Sequence, residues 1–276
     1  MSPVMKKFAR WCVKYNMPAI LIFGFLYIIV YFALFFYVFH ASLIPTLIFG
    51  VVLFLCVAII VNSSFNLLLT NAAKELNEKC DIRPLMEETE FLLTCKLSDY
   101  NRQLLIIDYC AVQLELGEYQ KALDVITSIN IDKISGMLPI YKVVYYINLT
   151  GACIRTGRYE QARIWHNKMC SIFDDMKDNK QKRTMIPVIN SQKARMVFAS
   201  GDSLNAIRIV NAIRPENLYT AVHNSLLSAK AYLAIGDKQK AAERLQFVID
   251  KGNTLYIVTE AKNLLNECTK KETDWL

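Results

Sequence analysis

The sequence predicts an all-α chain in three parts. A basic N-terminus with a two-helix transmembrane hairpin takes residues 1–65. Amphipathic linker or capping helices take 66–97, and an α-solenoid of about four helix pairs with a C-terminal capping helix takes 98–276. Three observations carry this expectation. Residues Ala19 to Val61 hold no Asp, Glu, Lys or Arg; a Gly followed five residues later by an Ala recurs four times; and beyond Asn62 apolar residues follow helical spacing, with no period-two strand pattern and no Asn-Gly or Asp-Gly hairpin signal.

The first 65 residues contain Lys6, Lys7, Arg10 and Lys14 and no acidic residue. As one helix, the apolar run from Ala19 to Val61 would reach about 65 Å, twice the ~30 Å hydrocarbon core. It must turn once, and His40-Ala41-Ser42 followed by Pro45 is its polar interruption. Transmembrane helices are therefore expected at 19–39 and 43–61. A cleaved signal peptide fits less well, because the first run exceeds a signal's apolar core and a second span follows at once. Basic residues flank the hairpin and none sits in its turn, so both termini and the repeat domain are expected in the cytoplasm of a plasma membrane, of the bacterial inner type. With no charge inside the spans, the hairpin reads as an anchor rather than a conduit.

In the linker, Asn71 to Leu93 reads as one or two amphipathic helices broken near Cys80 to Pro84, with Leu76, Leu85, Met86, Phe91 and Leu92 as the apolar set. The repeated pairs are Gly117 and Ala122, Gly157 and Ala162, Gly201 and Ala206, and Gly236 and Ala241. A tight turn between antiparallel helices favours Gly. Five residues on, the helices cross at close range, and only a small side chain lets the backbones meet. Compact residues precede each Gly by seven: Cys110, Thr150, Ala194 and Ala229. The glycines are spaced 40, 44 and 35 residues apart. The charged stretch Asp174 to Thr184 is the expected source of the longest interval, and longer helices around Ile131 to Pro139 of the 40. At the end, Leu255 to Cys268 reads as a capping helix with Ile257, Ala261, Leu264 and Leu265 inward, and Glu260, Lys262 and Asn263 outward.

With an aromatic two residues after Gly in the first two units (Tyr119 and Tyr159), this pattern resembles tetratricopeptide repeats (TPRs), over about residues 98–252. The last two units carry Ser203 and Lys238 there instead. The resemblance implies that the first helix of each pair lines a concave groove. Carried over, the groove includes Ile107 and Leu114, then Ile147, Asn148 and Arg155, then Arg195 and Phe198, then His223 and Lys230. It implies a membrane-anchored scaffold that binds a protein or peptide partner, with the basic residues favouring acidic groups. The alternative is a membrane accessory subunit whose hairpin recognises other membrane proteins. A terminal helix covering the groove is a further alternative.

Enzymatic motifs are missing from the sequence: no nucleotide-binding glycine loop, nucleophile elbow, HExxH or DxDxDG. No cofactor, metal or small-molecule substrate is evident. Beyond position 65 the chain holds 28 basic and 25 acidic residues, too balanced to indicate nucleic acid. The eight cysteines form no CxxC and read as buried small hydrophobes, Cys80 beside Asp81 being the least certain of them; His166 reads as a core residue.

Overall fold

The computed structural model describes residues 1–15, 22, 24–27, 29, 30 and 43–273. Among these every regular element is a helix. The chain divides into two compact units, one of Met1–Ala73 with Thr94–Lys96 and one of Lys74–Leu93 with Leu97–Leu276.

The first unit opens with α1 (Pro3–Lys14), whose Pro stands in the first turn, where its missing N–H costs nothing, and whose N-cap Ser2 accepts from the Met5 amide at 3.3 Å. Ala9, Cys12 and Val13 are buried, but Met1, Val4, Met5 and Phe8 form an exposed stripe at spacings of three and four, and Tyr15 beyond the helix is exposed as well. Next, α2 (Leu43–Lys79) is one helix of 37 residues, about 55 Å long. The expected break between a span ending at 61 and a separate linker helix is therefore corrected. Neither Gly nor Pro interrupts residues 62–79, and Phe65, Leu68, Leu69, Ala72 and Leu76 carry one buried stripe through the junction.

Among the described residues no helix is long and apolar enough to cross a membrane, so the expected transmembrane hairpin is not supported by them. The predicted first span and turn lie mostly outside those residues. The predicted second span falls on the first half of α2, where most side chains are likewise outside them.

The second unit continues with α3 (Arg83–Leu93) and then runs as successive helix pairs. These are α4 (Asp99–Glu115), α5 (Tyr119–Thr127), α6 (Pro139–Arg155), α7 (Tyr159–Asp175), α8 (Lys180–Ala199), α9 (Ser203–Ala212), α10 (Leu218–Ala234) and α11 (Lys238–Lys251), ended by α12 (Ile257–Thr273). Each first helix packs on its second, each second on the next pair, and α4, α6, α8 and α10 touch in sequence. Stacking is what lets such pairs cover their apolar faces.

The four inter-helix turns are made alike. Gly117, Gly157, Gly201 and Gly236 have φ of 81°, 75°, 91° and 83°, and the amide after each bonds to the carbonyl five residues before it: Glu118 to Gln113, Arg158 to Cys153, Asp202 to Val197 and Asp237 to Tyr232. This is the Schellman closure, which needs a left-handed residue and so favours Gly. Ala122, Ala162, Ala206 and Ala241 are all fully buried.

One interval explanation changes. The charged stretch 174–184, expected to lengthen the 44-residue interval, is largely helix and extends α7 and α8, since α8 starts at Lys180 with Asn179 capping the Lys182 amide at 2.9 Å. The 40-residue interval comes from irregular chain with a 3-10 turn at Ile131–Lys133 rather than from longer helices.

The array also closes on its beginning. Thr254 Oγ1 accepts from the Ile82 amide at 2.9 Å and donates to Asp81 Oδ1 at 3.1 Å, Asn253 Nδ2 donates to the Lys79 carbonyl at 2.9 Å, and the Tyr256 amide donates to the Glu115 carbonyl at 3.0 Å. The loop between α11 and α12 is thus clasped to the entry of the repeats.

Candidate functional site

Periodicity puts Glu115, Arg155, Arg195, His223 and Lys230 on the first helices of the four pairs, and stacking brings their ends together. Glu115, at the C-terminus of α4, is 6% exposed. Its carboxylate accepts from Tyr219 Oη at 2.7 Å and meets His223 Nε2 at 3.0 Å. Burial pushes that carboxyl up, yet His223, Tyr219 and Arg195 together hold it below the ordinary value, so it is a charged group inside the array.

Beside it lies a second acid. Glu260 of α12 accepts from Arg155 Nη1 at 3.0 Å and pairs with Lys230. Burial again opposes ionisation, and Arg155 and Lys230 overcome it, holding Glu260 low. Arg155 also lies 5.2 Å over the Tyr119 ring. Lys230 is pushed below its usual value by burial and by Arg155, with Glu260 opposing.

Arg195, on α8, differs from its neighbours. Its guanidinium makes no hydrogen bond or ion pair among the described residues, although Glu115, Tyr219 and Arg155 are close enough to act on its charge. Burial pushes it below the ordinary arginine value. With Phe198, Leu226 and Tyr159 it faces a cavity of about 330 Å³ that Arg155, Lys230, His223 and Glu260 also line. Three cations thus face one carboxylate in the lining, with Glu115 satisfied behind it.

Five of the nine groove residues meet here: Arg155, Arg195, Phe198, His223 and Lys230. The other four do not. Ile107 is 2% exposed in the core, Leu114 and Ile147 pack against that core, and Asn148 Nδ2 donates to the Ile107 carbonyl at 3.0 Å. Asn148 therefore cross-links α6 to α4 and does not face a ligand. Glu260 corrects an expectation outright: placed outward on the capping helix, it instead turns in toward Arg155 and Lys230 and is 23% exposed. An acid on a helix's polar face points outward only if no cation stands opposite, and two stand opposite here.

The remaining candidates are quieter. Cys80 is buried at a left-handed φ of 53°, and burial pushes its thiol up to about 11, the opposite of an activated nucleophile. His166 is partly buried, 3.6 Å from Cys170 Sγ, and burial lowers its affinity for a proton. No group of His, Cys, Asp and Glu that could hold a metal occurs among the described residues.

No family model, no curated protein and no solved structure matches the chain.

Proposed function

We propose that this chain is a non-catalytic, membrane-anchored scaffold of TPR-like helix pairs that binds an acidic group of a protein or peptide partner in the cavity around Arg195. The observation that carries the reading is a cation with no carboxylate paired to it. Glu115 offsets its charge only in part and from a distance, so a partly buried guanidinium without a hydrogen-bonded acid is costly, and an incoming carboxylate removes that cost. A cavity of about 330 Å³ suits an acidic side chain or a chain end of the partner.

Membrane attachment rests on residues 19–61 read as two spans with both ends cytoplasmic, and α1 supports it. The exposed stripe of Met1, Val4, Met5 and Phe8 lies on the side of α1 opposite Lys6, Lys7, Arg10 and Lys14, the pattern of a helix lying at an anionic lipid surface. The test uses the full chain in detergent with short acidic peptides and their amidated, neutral counterparts, read by fluorescence anisotropy. Binding that needs the acid, weakens with salt and disappears in Arg195→Glu is expected. Binding indifferent to the acid or to Arg195→Glu would overturn the reading. Extraction of the protein by alkaline carbonate would overturn the anchor.

A further inference from the structure

A second cavity, of about 300 Å³, lies where α9, α10 and α11 meet, on the side of α10 opposite His223 and Lys230. One face of α10 supplies Asn224, Ser225 and Ser228, which are 6%, 8% and 1% exposed. Their spacing of one, three and four residues places all three on the same side of the helix. Asn224 Oδ1 and Ser228 Oγ are buried and find no hydrogen-bond partner among the described residues. Each such atom costs about 1–3 kcal/mol against a satisfied one. A helix that only had to stack would carry Ala or Leu at these positions, as α10 does at Leu226, Leu227 and Ala229.

The rest of the wall adds the exposed amide of Asn211 to two other kinds of group. Phe247 and Pro215 are apolar, while Arg244 of α11 brings an exposed positive charge and no Asp or Glu lines the space. Arg244 makes no ion pair or hydrogen bond among the described residues. The site therefore offers an unmet acceptor at Asn224 Oδ1, an unpaired hydroxyl at Ser228, a water-exposed cation at Arg244 and an apolar surface at Phe247. At about 30 Å³ per water-sized group, there is room for about ten such groups.

We propose that this cavity binds a small organic acid that carries its own amino or hydroxyl group, of which a free α-amino acid with an apolar side chain is the simplest. The carboxylate answers Arg244, the N–H or O–H answers Asn224 and Ser228, and the side chain covers Phe247. The site is independent of the Arg195 cavity, and its residues are absent from the groove.

Isothermal titration calorimetry on the full chain in detergent tests it, with the L-amino acids and small hydroxy acids added singly. At least one is expected to bind saturably with one-to-one stoichiometry. Arg244→Ala, at an exposed position, should weaken that binding about ten- to hundredfold through loss of a charge-assisted contact. Ser228→Val, which fills the space and removes the hydroxyl, should abolish it. Arg195→Glu should leave it unchanged, which separates this site from the first. No binding by any probe to protein that melts cooperatively overturns the proposal, as does binding that survives both Arg244→Ala and Ser228→Val.

Discussion

At Gly117 two constraints coincide that are separate elsewhere. Its φ of 81° is left-handed, and a Cβ added there would lie 2.6 Å from the Tyr256 ring; at Gly157, with φ 75°, a Cβ would meet nothing within 4 Å. Gly157→Ala should cost about 1–2 kcal/mol from backbone strain alone. Gly117→Ala should cost at least 1 kcal/mol more, and Tyr256→Ala in the same chain should return part of that excess. A urea-unfolding double-mutant cycle with no coupling between the two positions would refute the contact's role. Asp108 gives a pH signature. Burial pushes its carboxyl up to about 7, so between about pH 4 and about pH 7 the folded chain holds a proton that the unfolded chain releases. Stability contributed there is lost as pH rises through that window. Asp108→Asn should flatten this slope and add about 1–2 kcal/mol at about pH 8, below the full linkage value of about 4 because Asp108 is only partly buried. Denaturation midpoints that respond to pH identically in parent and variant would count against it.

The helix pairs were legible because their constraints are local. A left-handed Gly and a fully buried Ala five residues later are both written within one turn of chain, so spacing alone places them. Ala122→Leu with Ala162→Leu should cost about 1–3 kcal/mol at each site through overpacking and broaden thermal unfolding. An unchanged melt would leave the close crossing without support. The inward faces of Arg155, Arg195, His223 and Lys230 were legible for the same reason, since periodicity fixes which side of a helix a residue takes. Glu260 and Tyr219 were not. Glu260 meets Arg155 across 105 positions and Tyr219 meets Glu115 across 104, and no local pattern encodes a contact of that span. The continuity of α2 was hidden differently. Asn62-Ser63-Ser64 looks like a boundary, but nothing there forbids a helix, and the buried stripe from Phe65 onward decides the matter.

On the scale of the repeat unit, the clasp between residues 253–256 and residues 79–82 changes how stability is distributed. Stacked helix pairs normally lose their end units first, because each end has one neighbour. Here each end has the other. Amides of Ile82 and Tyr256, which donate to Thr254 Oγ1 and the Glu115 carbonyl, should exchange with solvent as slowly as those at the centre of α6. Thr254→Val, which deletes the hydroxyl and keeps the bulk, should let both ends exchange early, and early exchange at one end alone would contradict the coupling.

A consequence follows for whatever pulls on the molecule. An open stack stretched from its first helix gives way joint by joint, like a spring. In this chain a tug arriving along α2 reaches Lys79, whose carbonyl is bonded to Asn253, 174 positions away, so part of the load is shared with the loop that leads into the helix carrying Glu260. Tension along α2 would then reach the ionic cavity before the intervening pairs had opened.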